Sequence, residues 1–482
     1  MKRPNLIFAA TTGLLILTAV GVGIGCTSSN GDTSGQSSET TMSAAEARTV
    51  ARSGGDATVT NTGANAFGQP VSGLSKDDLR AFVVGNNFFN DNWVTAPAST
   101  TGRDGLGPLF NAQACSSCHF KDGRGSPPTD ENPTAKGLLI RMSIPGEDST
   151  TGAPLPDPVY GGQFQDNAIT GVPAEGTLSI TPEPIKGKFA DGTPYSLANP
   201  VYNFTDLGYG PFHPQTMLSP RVGNAVFGTG LLEAIPEETI RGFADPDDSD
   251  GDGISGRVNE VWSSEFNKTM LGRFGWKANV ASVKEQVAGA FRGDIGMTSS
   301  LIPTQDCMPA QTECLAAPTG GEPELDDKKL DRVTFYTRTL AVPARRDVTD
   351  KSVQRGEQQF IGLGCNACHK SNIRTGKAEP AQLSEQTISP YTDMLLHDMG
   401  PGLADDRPDF LASGSEWRTA PLWGIGLTKT VNRHTRFLHD GRARNLTEAI
   451  LWHGGEAESA KAGFVKLDSK SRNDLIKFLE SL

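Results

Sequence analysis

Cys115-Ser116-Ser117-Cys118-His119 and, far downstream, Cys365-Asn366-Ala367-Cys368-His369 are the two stretches that decide how this chain is read. Both follow the pattern C-x-x-C-H. Two thiols about one helical turn apart add to the two vinyl groups of a haem, and the adjacent imidazole then faces the iron. A zinc site needs two further Cys or His at similar spacing, and neither neighbourhood holds them. A thioredoxin-like dithiol needs a βαβ frame that is missing here. The spacing therefore predicts two covalently bound c-type haems, with His119 and His369 as iron ligands. His213, His397, His434, His439 and His453, together with Met217, Met297, Met394 and Met399, are open as second axial ligands, and spacing alone does not choose among them.

The remaining cysteines and the N-terminus point to export. Of seven Cys, four belong to the motifs and two, Cys307 and Cys314, share a Pro/Gly-rich loop where an oxidising compartment is expected to join them. The seventh is Cys26. Lys2 and Arg3 precede an apolar run from Leu6 to Val22 and then Gly23-Ile24-Gly25-Cys26, a signal peptide over residues 1–26 of the lipoprotein kind. The expectation is a periplasmic protein that meets a membrane, the outer one included, only through a lipid on Cys26. Residues 27–75 open on a run of Ser, Thr and Gly and are expected to be a disordered tether. A net charge of −12, from 56 acids against 44 bases, argues against nucleic acid and suits a small basic redox protein as partner.

Working outward from the motifs, the two halves repeat one another. Ala225-Val226-Phe227-Gly228-Thr229-Gly230-Leu231 resembles Pro421-Leu422-Trp423-Gly424-Ile425-Gly426-Leu427. With Phe274 set on Phe437, Glu285 falls on Glu448 without a gap, and Ser282 and Asn445 each stand three residues before their Glu as capping-box openers. The fold expected from this is mostly α: two tandem cytochrome c-like haem modules, residues 76–345 and 346–482, the first enlarged by a β-rich insertion at about 134–215. Helices are expected at about 76–87, 110–119, 236–243, 281–291, 327–340, 351–362, 446–453 and 470–481. Asp248-Ser249-Asp250-Gly251-Asp252-Gly253-Ile254 repeats D-x-D-x-D-G, so Asp248, Asp250, Asp252 and the Ile254 carbonyl are candidate calcium ligands. Asn259 stands where a full EF-hand loop carries its bidentate Glu.

Four further phrases fall in order between and after the motifs. They are Gly230-Leu231-Leu232-Glu233-Ala234-Ile235-Pro236, Gly272-Arg273-Phe274-Gly275-Trp276-Lys277-Ala278, Leu395-Leu396-His397-Asp398-Met399-Gly400-Pro401-Gly402-Leu403-Ala404-Asp405 and Phe437-Leu438-His439-Asp440-Gly441-Arg442-Ala443. On these phrases the chain, over roughly residues 80 to 480, resembles the bacterial di-haem oxidoreductase family, a peroxidase-like group also called thiol oxidoreductase-like and related to the di-haem cytochrome c peroxidases.

That resemblance implies an enzyme in which the C-terminal haem accepts electrons and the N-terminal haem reacts, with Trp276 relaying between them. It places His453 where the peroxidases carry a Met on the second iron, and an imidazole there lowers the haem potential relative to a thioether. It puts His397 and His439 near the C-terminal haem as contacts, not ligands. The removable His that the peroxidases carry after the first motif is absent from Phe120-Lys121-Asp122-Gly123-Arg124-Gly125-Ser126-Pro127-Pro128. The first haem is then either open or capped by His213 or a Met, and the open site is the favoured reading. Asp294 is the nearest carboxylate to the acid–base position of the relatives, and Arg292 the cation expected to stabilise a departing hydroxide. The substrate implied is hydrogen peroxide or another oxidisable molecule. The rival functions are a non-enzymatic periplasmic electron carrier and a thiol- or protein-oxidising di-haem enzyme.

Overall fold

Residues 42–482 are described by a computed structural model. The expected signal peptide, Cys26 and the first part of the expected tether lie outside the described residues. The rest of that stretch has structure: Ser43 caps a largely exposed helix over Ala44–Ala51, and Phe67 is buried against Phe227 with ring centroids 4.2 Å apart. A large aromatic inside the polar stretch supplies burial that its Ser and Gly neighbours do not.

Six helices carry the frame: α1 (Lys76–Asn90), α2 (Val283–Ile295), α3 (Asp327–Arg338), α4 (Lys351–Gly362), α5 (Leu446–Trp452) and α6 (Ser469–Ser481). Each begins at a Ser, Asp or Asn whose side chain accepts a first-turn backbone N–H, the usual remedy for the unpaired donors of a helix start. Ser282 and Asn445 cap α2 and α5 as expected, but the Glu side chains do not reach back to complete a capping box. Glu285 accepts from the Glu265 N–H and Glu448 from the Arg444 N–H.

Two helix pairs use one packing device. α1 crosses α3 at Gly85, where a Cβ would strike the Arg332 carbonyl and the Tyr336 side chain. α4 crosses α6 at Gly356, where a Cβ would strike the Asp474 carbonyl and Phe478.

The expectation of a mostly α chain is not met. Helix accounts for 29% and strand for 19% of the described residues, and the strands are divided among many small sheets. The strands that frame the site and the β-rich insertion are β1 (Leu138–Glu147), β2 (Gln163–Phe164), β3 (Thr177–Lys188), β4 (Pro194–Thr205) and β5 (Met217–Val222). β1 pairs with β5 from Leu138↔Val222 to Ser143↔Met217 and with β2 at Ile140↔Phe164 and Arg141↔Gln163. β3 and β4 form a long two-stranded ribbon in register from Thr177↔Thr205 to Lys188↔Pro194. Other pairs are two to four residues long, such as Leu109–Phe110 with Asn167–Ala168. With 55 Gly and 31 Pro the chain turns too often for long helices, and its backbone groups pair in short antiparallel contacts instead. Cys307 and Cys314 are joined, as expected from their loop. Among the described residues no helix is long and apolar enough to cross a membrane.

Candidate functional site

Cys115–Cys118 form a single helical turn that ends on His119, whose N–H donates to the Cys115 carbonyl at 2.9 Å. The His119 ring is fixed by one hydrogen bond, from Nδ1 to the Asn224 carbonyl at 2.7 Å. A carbonyl only accepts, so Nδ1 carries the proton and Nε2 keeps its lone pair for a metal. Gly223 lets the backbone pass close to the ring, since a Cβ there would stand 2.9 Å from Cε1. Burial lowers the imidazole pKa, against the opposing pull of Asp294.

His119 and both Cys115 and Cys118 line one deep cavity. Four arginines, Arg124, Arg141, Arg221 and Arg418, reach the same walls. Arg124 Nε, Glu285 Oε2, Gln286 Oε1 and Asn279 Oδ1 line it too, buried and without a hydrogen-bond partner. Native interiors rarely leave such groups unmet. Two thiols, a metal-ready imidazole, apolar walls and guanidinium groups suited to carboxylates fit a haem with its two propionates.

Asp294, expected as the acid–base group, lies on this cavity near the end of α2. Its carbonyl accepts the Asn111 and Ala112 N–H groups at 2.8 and 3.0 Å, which ties it to the strand leading into Cys115. Its carboxylate accepts from Gln163 Nε2 at 2.8 Å. Burial raises its pKa above the ordinary carboxylate range, opposed by the Gln163 hydrogen bond and the charges of Arg141 and His119. Arg292 is not on the cavity. Two residues along a helix turn the side chain by about 200°, and Arg292 accordingly points away to Asp306 at 2.9 Å and the Thr304 carbonyl at 3.0 Å.

The second motif repeats the first. His369 donates from Nδ1 to the Tyr391 carbonyl at 2.9 Å, leaving Nε2 free. Burial pushes its pKa down to about 4, with nearby His453 and His397 adding to the effect against the Tyr391 bond. His453, at the end of α5, donates from Nδ1 to the Ala449 carbonyl at 2.7 Å and so presents Nε2 in the same way.

The other histidines are spent differently. His397 is clamped between Asp393 Oδ2 on Nε2 (2.9 Å) and Glu456 Oε2 on Nδ1 (2.6 Å). Burial alone would lower its pKa, yet hydrogen bonds to Asp393, Cys368 and Glu456 push it up to about 12. It is an imidazolium beside Cys368, with no lone pair to give. His439 stacks on Trp417 at 3.7 Å and 9° and does not line the cavity. His434 accepts the Arg436 N–H on Nδ1 and donates from Nε2 to the Arg124 carbonyl. His213 accepts the Gln215 N–H at 3.3 Å and is likewise absent from the cavity walls. Met297 and Met394 are buried in the apolar core.

Trp276 lies on the wall of the first cavity. Its indole donates to the Val222 carbonyl at 2.7 Å and its side chain lines the first cavity. It also belongs to the apolar cluster that includes Phe360 and Trp452, with Cys365 at the edge. Asp248, Asp250 and Asp252 bring one carboxylate oxygen each within 4.8 Å of one another, while Ile254 donates its N–H to Asp252. Sequence reasoning missed Arg141, Gln163 and Gln286. Alternation along Leu138–Met142 was visible, but which face of the strand meets the cavity was not.

A model of the family described as "Di-haem oxidoreductase, putative peroxidase" matches residues 48–482. No curated protein matches the chain. Among solved structures, hydrazine synthase of Kuenenia stuttgartiensis pressurised with xenon aligns with 12% identity and a TM-score of 0.32. The alignment covers 96% of this chain and 100% of that one, and likeness at this level carries no functional weight.

Proposed function

The chain belongs to the di-haem oxidoreductase family, and from that premise we propose a peroxidase-like enzyme with one reactive and one electron-transferring c-type haem. One observation carries the reading: three imidazoles, His119, His369 and His453, donate Nδ1–H to a backbone carbonyl and present a free Nε2. His369 and His453 are the two imidazoles that would hold the iron of the second haem. His119 has no such counterpart on its cavity among the described residues, which leaves the first iron a site for a small ligand.

The thiols of Cys115, Cys118, Cys365 and Cys368 would hold the haems covalently, and the haems would supply the redox chemistry. The chain's own residues do the rest. Reduction of hydrogen peroxide to two waters consumes two electrons and two protons. Asp294, kept protonatable by burial and oriented by Gln163, carries a proton within the cavity. Trp276 bridges the cavity and the cluster around the second motif, the place for electron passage. The electrons come from a small redox protein in the periplasm, where a lipid on Cys26 holds the enzyme to a membrane. A calcium ion is proposed at Asp248, Asp250 and Asp252, and calcium titration of wild type against Asp250→Asn tests it, equal affinity removing the site.

The test of function is peroxide consumption with a reduced cytochrome as donor. Asp294→Asn is expected to lower the rate by roughly 10²- to 10⁴-fold with haem content unchanged. An undiminished rate would remove Asp294 from the reaction.

A further inference from the structure

Four arginines line the first cavity, and three of them are already engaged. Arg221 pairs with Asp409 at 3.0 Å and donates from Nε to Ser219 at 2.9 Å. Arg418 donates to the Gly275 and Thr419 carbonyls at 2.9 and 3.1 Å. Arg124 donates to the Leu438 carbonyl and lies over the Trp276 ring, 5.6 Å from its centroid. Only the Arg141 guanidinium makes no hydrogen bond and no ion pair within 4 Å among the described residues. A guanidinium taken out of bulk water without a partner is costly, so a site that keeps one implies a ligand for it.

The fold explains how Arg141 comes to be there. Along β1, Leu138, Ile140 and Met142 are buried in the apolar core, and the alternate residues Leu139 and Arg141 line the cavity. Directly across the ladder from Arg141 stands Gln163. Gln163 Nε2 holds the Asp294 carboxylate at 2.8 Å and Asn111 Oδ1 at 2.7 Å. Strand pairing thus sets the Gln163 amide beside Arg141 and against the Asp294 carboxylate, while Arg141 and Asp294 share the cavity wall with His119. Asp294 is also the acidic group that acts most strongly on Arg141.

We infer that Arg141 is the anion-binding residue of this cavity, receiving the hydroperoxide anion of the proposed reaction, or a small inorganic anion in its place, beside Asp294. The inference rests on the proposed function in placing the reactive haem at His119, and it gives to Arg141 the role that Arg292 is turned away from. A bound anion and the guanidinium form a charge-assisted hydrogen bond, and Asp294 exchanges the proton that separates the acid from its anion.

The test is azide titration of the ferric di-haem holoprotein, followed by the loss of its high-spin absorption, for wild type, Arg141→Gln and Arg141→Lys. Arg141→Gln is expected to weaken azide about tenfold to a hundredfold, and Arg141→Lys to recover part of it. Haem content and resting spectra should stay as in wild type. Equal azide affinity in all three proteins would overturn the inference. So would haem loss or a changed resting spectrum in Arg141→Lys with azide affinity intact, because Arg141 would then be a propionate anchor. Azide binding involves no turnover, so the two claims separate. A wild type that binds azide through Arg141 but does not consume peroxide sinks the peroxidase reading alone. A wild type that binds no azide sinks both.

Discussion

At the scale of the residue, the chain sorts its histidines by what each Nδ1 touches. A carbonyl partner makes His119, His369 and His453 metal-ready, whereas two carboxylates make His397 a fixed cation. His453→Ala is expected to turn the low-spin haem high-spin in the absorption spectrum, and an unchanged spectrum would remove His453 as a ligand. His397→Ala should leave both spin states in place and lower stability, since it leaves Asp393 and Glu456 without the cation between them. His439 is the opposite case. Burial holds its pKa down to about 4, with Arg442 and Lys277 adding to the effect against Asp440. The unfolded chain binds that proton near pH 6.5, so this group's contribution is whole above 6.5 and is lost as pH falls toward 4. Urea unfolding at pH 7 and pH 5 should show wild type losing up to about 2 kcal/mol more than His439→Gln over that interval. Motif chemistry of this kind was legible in the sequence because the two CxxCH runs are local. The partner of each Nδ1 was not, because Asn224, Tyr391 and Ala449 are set by folding.

At the scale of the element, what the sequence discloses is what short-range rules govern. The N-caps of α2 and α5 and the extents of α1, α3, α4 and α6 follow from side chains within a turn of one another. The many small sheets were hidden because pairs such as Leu109–Phe110 with Asn167–Ala168 are too short to show a period. Arg292 and Asp294 show the same limit inside a helix, where neighbours in sequence face opposite ways. The crossings at Gly85 and Gly356 are the points where packing is least forgiving. Gly85→Ala and Gly356→Ala are each expected to cost about 1–3 kcal/mol or more, read as a fall in thermal midpoint. A midpoint unchanged in both would mean that the helix pairs separate easily at these positions.

At the scale of the whole molecule, the repeated phrases meet face to face. A Cβ on Gly228 would stand 2.5 Å from Trp423, and one on Gly424 would stand 2.6 Å from Phe227. Both glycines have left-handed φ, 74° and 72°, so each repeat turns sharply just where it touches the other. Residues of the C-terminal half therefore line the cavity of the first motif, Arg418, Trp423 and Ile425 among them. Trp276 stands at that shared boundary. Trp276→Phe is expected to slow electron transfer between the haems without haem loss, measured by rapid mixing of the half-reduced protein, and an unaltered rate would sink the relay. The central claim is the inequality of the two irons, one with two imidazoles and one with a single imidazole. Low-temperature EPR of the oxidised protein, followed by peroxide, tests it most directly. The account requires one low-spin and one high-spin signal, with the high-spin signal consumed by peroxide. Two low-spin signals that peroxide leaves untouched, before and after partial reduction, would contradict it and make the protein an electron carrier.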